Sequence, residues 1–265
     1  MNIFLRELKA HRWGLVFWCL GMIALIYSGM AKYAAYEQAG TSIEEILGQI
    51  PKGVLAVFGM VGFDLTTAAG FYGVLFLYLA VMAAVHASLL GSGLIAKEER
   101  DHTSEFLYSK PASRAQVLTG KLLAGIANLV LFNLATLLSS FYFVDFFSKE
   151  EPINREITLL MVGLFCIQLI FFSIGALVAG TTHRPKSASS VATSIMFLTF
   201  LLSFVVNLNE NLDFLKYVTP FKYFDAAIVM TDLALDPVYV VLSLAVIVLC
   251  IVGTYRFYAA RDLTV

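Results

Sequence analysis

The chain has 265 residues, of which 59% are hydrophobic and 14% charged, with a net charge of −1 and a mean hydropathy of +0.81. A soluble domain carries about a quarter charged residues, so this composition excludes an ordinary soluble protein, and the near-neutral balance offers nucleic acid no basic surface. The length divides instead into membrane spans, each needing about 20 apolar residues to cross a ~30 Å hydrocarbon core at ~1.5 Å per residue.

The chain opens with Met1–Arg12, where Ile3, Phe4, Leu5 and Leu8 stand among Arg6, Glu7, Lys9 and Arg12. This pattern predicts an amphipathic helix lying in the membrane interface, although a plain polar tail also fits it. The run Trp13–Ala31 follows without Asp, Glu, Lys or Arg. It is longer than the apolar region of about 7–15 residues in a secretory signal and predicts the first span, over 13–31. Lys32–Asp64 is then a loop holding a capping-box pattern, Ser42-Ile-Glu-Glu45, and a break at Pro51. Two short helices resting on the membrane surface fit it.

Leu65–Ala96 again lacks charge and predicts the second span, over 70–96. An abrupt change comes next, because six of the nine residues Lys97–Glu105 are charged. Asp101 or Thr103 can cap a short helix through Leu107 or Tyr108, and Pro111 ends it by pushing its predecessor out of the helical region. Ser113-Arg-Ala-Gln116 fits a capping box that opens the third span, over 116–144. A solvated loop that only fixes topology remains the alternative for this segment. Gly120-Lys121 raises the question of a phosphate-binding loop, but that motif needs G-x-x-x-x-G-K-[ST]. Ala115 stands at its first glycine position and Leu122 at its hydroxyl position, so the motif fails. Lys121 is expected instead to snorkel to water from a helix end.

Three further uncharged runs, Ile157–Thr182, Ser187–Asn209 and Pro237–Tyr255, predict spans over 157–181, 187–207 and 237–256. Between the last two, Asn207–Asp236 mixes Phe214, Leu215, Tyr217, Val218, Phe221, Tyr223 and Phe224 with five acidic residues. An interfacial aromatic belt accounts for such a mixture. The expected fold is thus all-α and polytopic, a single membrane domain over residues 1–265 with six transmembrane helices and no nucleotide-binding domain.

Six spans put both termini on one side of the membrane. That side carries twelve Lys and Arg against six on the other, which by the positive-inside rule makes it the cytoplasm. The charged segment after the second span is therefore cytoplasmic as well. Cys19, Cys166 and Cys250 all lie within spans, and their odd number gives neither a disulfide framework nor a zinc site. The spans hold few polar groups. Asn128, Asn133 and Gln168 suit interhelical hydrogen bonds, and Gly175-x-x-x-Ala179 and Ala176-x-x-x-Gly180 suit close packing. His86 is the one titratable side chain well inside a span apart from Cys and Tyr, and a packed role or a proton-relay role is open to it. No catalytic motif appears, so the chain itself is not expected to be an enzyme.

Glu98-Glu99, Thr103-Ser-Glu105-Phe-Leu, Ser109-Lys-Pro111, Ser113-Arg114 and Gly120-Lys121 resemble the intracellular loop of the ABC-2 family of permeases, the membrane subunits of ATP-binding-cassette exporters. The family pattern runs roughly E-E, G-T-x-E-x-L-L, S-x-P, x-S-R and G-K. His102 stands where glycine is often found, a departure that bears on the turn before Thr103. Pro51–Gly59 and Thr219-Pro-Phe-Lys-Tyr-Phe224 are similar to further family stretches.

The resemblance implies that the loop forms a coupling helix docking into a separate ATPase subunit through Glu98, Glu99, Arg100, Thr103, Glu105, Phe106 and Leu107. It implies an N-terminal elbow helix and outer re-entrant helices before the last span. It also implies two ATPase copies binding ATP and Mg²⁺, and a second permease subunit forming a homodimer or a paralogous heterodimer. The expected location is the cytoplasmic membrane of a bacterium. The expected cargo is hydrophobic or amphipathic, such as a lipid, drug or peptide antibiotic. Two other functions stay open: a non-transporting receptor or regulatory subunit for an ATPase, and an ion-coupled carrier working through His86.

Overall fold

The structure is a computed structural model that describes residues 3–39, 49–60, 62–100, 113–148, 152–182, 184–208 and 210–260. The described elements are helical. They comprise α1 (Ile3–Ala39), α2 (Lys52–Val57), α3 (Ala68–Arg100), α4 (Arg114–Phe147), α5 (Asn154–Thr181), α6 (Ala188–Leu208), α7 (Ala226–Asp232) and α8 (Pro237–Ala260). Short 3₁₀ stretches cover Pro185–Ser187, Glu210–Tyr217 and Pro220–Lys222. Six of these helices, α1, α3, α4, α5, α6 and α8, are long and apolar enough to cross a membrane. They coincide with the six uncharged runs of the sequence.

α3 and α5 form the centre of the bundle, since 67% and 61% of their most apolar windows are buried, against 17% for α6 and 11% for α8. Lipid tails are as apolar as Leu, so helices in a membrane are held together by close packing and hydrogen bonds rather than by the hydrophobic effect. Small residues supply the packing here. The Gly91 backbone lies against the Phe172 carbonyl, and Gly175 lies against the Ser88 carbonyl and the Ser92 amide. On another face of α5, Gly180 meets Thr254 of α8. The two small-residue motifs of α5 thus serve two different neighbours.

Hydrogen bonds reinforce the contacts. Buried Tyr72 of α3 donates to Ser140 of α4 at 2.7 Å, and Ser92 of α3 donates to Ser189 of α6 at 3.0 Å. Asn133 of α4 donates to the Gln168 side chain and to the Met161 carbonyl of α5, at 3.3 and 3.2 Å.

One expectation is corrected, and of the two readings of the aromatic segment, re-entrant helices and an interfacial belt, the belt alone falls short. The amphipathic elbow helix expected over Met1–Arg12 is not a separate element, because Ile3–Arg12 forms the first turns of the unbroken 37-residue α1. No proline interrupts it, and Phe4, Glu7, His11, Leu15, Trp18, Met22, Ile26 and Tyr33 fall at helical spacing on one inward stripe. At ~1.5 Å per residue α1 is about 55 Å long, more than a hydrocarbon core requires. The aromatic segment before α8 is also more than an interfacial belt. Phe214 and Tyr217 are exposed, but Phe221, Tyr223 and Phe224 are buried. Phe221 reaches past the midpoint of α5, with its ring 5.3 Å from Phe171 and 5.2 Å from Phe200. Of the two short helices expected before Asp64, α2 is the second, and Ser42 and Glu45 lie outside the described residues.

Candidate functional site: the helix stems and a far-end cavity

The charged segment joins α3 to α4. Glu98, Glu99 and Arg100 form the last turn of α3, whose helix continues to Arg100. Thr103, Glu105, Phe106 and Leu107, with the short helix expected for them, lie outside the described residues. The stems on either side are well defined.

The capping box at the start of α4 forms as expected from its sequence. Ser113 Oγ accepts the Gln116 amide at 3.2 Å, and Gln116 Oε1 accepts the Ser113 amide at 3.0 Å. Two otherwise orphaned donors are satisfied reciprocally, which fixes the residue at which α4 begins.

Lys121 departs from expectation. It does not snorkel to water but is fully buried, and its Nζ donates to the Leu94 carbonyl of α3. The physical reason is its position on the helix. Val117, Lys121, Ala124 and Asn128 share the buried stripe of α4, so residue 121 must point inward. Lys121 thereby joins the two stems within two turns of the segment they carry.

Glu7 comes to the same place from α1 and is only 1% exposed. Arg6 donates to its Oε1 through Nη2 at 2.6 Å and Nε at 3.1 Å, and His11 Nε2 lies 3.9 Å from Oε2. Lys121, Arg6 and Lys97 all attract its charge. Beside Lys121, Gly120 leaves room for Ile3 and Phe4. Thr119 and Tyr255 share a hydrogen bond of 2.7 Å that brings α8 to the same end. Sequence reasoning overlooked Glu7 and misplaced Lys121, and in both cases the helical spacing of the buried stripe was the available signal.

His86 sits deeper, 3% exposed. Its ring centroid lies 5.4 Å from Trp18 and 4.6 Å from Phe132, and its Nδ1 is buried without a hydrogen-bond partner. Aromatic contact on two sides makes a packed histidine. Cys19, Cys166 and Cys250 are free thiols. Among the described residues, no group of His, Cys, Asp and Glu is arranged to hold a metal ion.

At the far end of the bundle, where α3 begins and α6 ends, there is a cavity of about 630 Å³. Phe63, Phe76, Leu77, Phe204, Phe221 and Phe224 give it an apolar wall, with Ser203 and Asn207 adding polar groups. Lys222 and Asp225 also line it, but they pair with each other. Asp225 in addition accepts the Ala227 amide at 3.1 Å and so caps α7. The cavity has the size and the mostly apolar lining of a small-molecule site, and its charges are balanced within the wall.

Comparison with known protein families gives a match over residues 1–263 to a model described as ABC-2 family transporter protein. No curated protein matches the chain.

Proposed function

The chain belongs to the ABC-2 transporter family, and from that premise we propose that it is the permease half of an ATP-driven exporter for a hydrophobic or amphipathic cargo. A multi-pass membrane protein of this family is an ABC permease and works with an ABC ATPase. Export as the direction, the cargo class and the coupling to ATP are the proposal.

The observation that carries it is the pair of braced stems. α3 and α4 hold the charged segment between a two-way cap at Ser113 and a buried tie from Lys121 to Leu94. A loop serving only topology has no need of such fixed ends. In this reading the segment docks on the ATPase, with Glu98, Glu99, Arg100, Thr103 and Glu105 setting orientation and Phe106 and Leu107 supplying the anchor. ATP and Mg²⁺ belong to the partner, present in two copies. Closure of the ATPases pushes on the stems, and α3 passes the displacement to α5 through the Gly91–Phe172 contact. Both termini face the cytoplasm of a bacterial cell, and a second permease subunit completes the pathway.

The far-end cavity supports the cargo class, because an apolar chamber with balanced charge favours lipid-like or drug-like molecules over ions. The ion-coupled alternative draws no support from His86, held between two aromatic rings. The test is ATP-dependent uptake of a fluorescent phospholipid into everted membrane vesicles. Ala227→Trp, which fills the cavity wall, should abolish uptake while the ATPase still co-purifies. Uptake that ignores ATP and follows an ion gradient would sink the proposal.

A further inference from the structure

We infer that the Lys222–Asp225 pair makes the far-end cavity selective for an amphiphile with a zwitterionic head, one that carries a phosphate and an ammonium and no net charge. The inference deepens the permease reading above and rests on it for the step from bound ligand to cargo. The pair follows a segment that dips into the bundle. The Thr219 hydroxyl donates to the Thr199 carbonyl at 2.7 Å, and Leu208, the last residue of α6, is nine residues beyond Thr199. At ~1.5 Å per residue Thr219 is held about 14 Å inside the helix end. Phe221 is seated on Phe200 at the same level, and Lys222 comes directly after it. Ionisable groups at membrane depth are costly, and where they persist they mark functional sites.

The fold alone does not call for the lysine. Asp225 caps α7 by accepting the Ala227 amide at 3.1 Å, and Asn would cap it as well with no cation beside it. Two charged side chains only 18% and 25% exposed cost more than an apolar wall would. What the pair adds is a polar spot with both signs and no net charge. A lysine ammonium has three donors, and the bond to Asp225 uses one. A carboxylate has roughly four acceptor positions, and Lys222 and the Ala227 amide take two. Both groups therefore have capacity for a ligand. A phosphate on Lys222 and an ammonium on Asp225 leave every charge paired. An anionic head would bring an unopposed charge into the apolar chamber, and a purely apolar ligand would cover the pair without bonding to it. Phe63, Phe76, Leu77 and Phe204 offer the surface for an acyl chain, and about 630 Å³ lies within the range of ligand pockets.

The test places the purified permease in vesicles of equal parts phosphatidylcholine and phosphatidylglycerol. A trace of phospholipid with a photoactivatable group on its acyl chain is added, its head either phosphocholine or phosphoglycerol. After irradiation, mass spectrometry measures labelling of the peptides that carry Phe76 and Phe204. The phosphocholine probe should label them about tenfold more than the phosphoglycerol probe, the scale of one uncompensated charge contact. Ala227→Trp should remove the labelling by both. Asp225→Asn keeps the cap and gives the wall a net positive charge, so the preference should turn to phosphoglycerol. Lys222→Gln combined with Asp225→Asn leaves no charge, and the two probes should then label alike. Equal labelling of the wild type, which needs no variant to fold, would overturn the inference. So would labelling that survives Ala227→Trp, or a preference that Asp225→Asn leaves in place.

ATP-dependent uptake of the same two lipids, measured in parallel with the ATPase present, separates this inference from the reading it deepens. Selective labelling without uptake keeps the zwitterion site and removes export. Uptake with labelling blind to the head keeps export and removes the selectivity of the site.

Discussion

Gly91 of α3 lies so close to Phe172 of α5 that a Cβ at position 91 would overlap the Phe172 carbonyl oxygen. This contact and the reciprocal one, Gly175 against Ser88 and Ser92, bind the two central helices backbone to backbone. Gly91→Ala should therefore force α3 and α5 apart at a cost of about 1–3 kcal/mol. Gly93, two residues on, is different, because a Cβ there would have nothing within 4 Å. Gly93→Ala should be neutral or stabilise by up to about 1 kcal/mol, the helix-propensity gain. Reversible unfolding in detergent separates the two, and equal effects would mean that the α3–α5 contact is looser than described.

The Ser113–Gln116 capping box gives a local prediction at the start of α4. Ser113→Ala removes the acceptor for the Gln116 amide and should cost about 1 kcal/mol. Hydrogen exchange at the Gln116 amide should accelerate by roughly fivefold, with the middle of α4 unchanged. An unchanged rate at Gln116 would show that α4 does not depend on this cap for its first turn.

Asp64 precedes α3 at the opposite end of the bundle. The Thr66 hydroxyl and amide both donate to its Oδ1, at 2.6 and 2.9 Å, and hold its carboxyl below the usual carboxylate range. A depressed carboxylate contributes its stability in full above the ordinary value of about 4 and loses it as pH falls through the lowered one. Amide exchange protection at Thr66 should therefore be flat from neutral pH to about pH 4 and decline only below that. Asp64→Asn should abolish the acid-induced decline, and persistence of the decline would assign it to another group.

The spans were legible because a run of about 20 residues without charge suits a bilayer and little else, and α3 to α6 fall where composition places them. The Ser113 cap was legible too, since a hydroxyl and an amide three residues apart satisfy a helix start by local geometry. Lys121 and Glu7 were misread because a charge was assigned to water from its chemistry alone. The face of the helix decided otherwise: Lys121 stands in register with Val117, Ala124 and Asn128, and Glu7 with Phe4 and His11. The burial of Phe221 beside Phe171 depends on a return of the chain into the bundle, which no local pattern encodes and only the family resemblance implied. The lining of the far-end cavity was hidden for the same reason. Its walls come from segments as distant as Phe63, Ser203 and Phe224.

Whether the charged segment binds an ATPase decides the proposed function. The most direct measurement is purification of the tagged protein from its native membrane in mild detergent, with mass spectrometry of whatever accompanies it. A Glu99→Lys, Phe106→Ala double variant is purified alongside. An ATPase carrying a phosphate-binding loop should accompany the wild type and be absent from a variant that still folds. No ATPase with either protein, even after gentle crosslinking, would contradict the account.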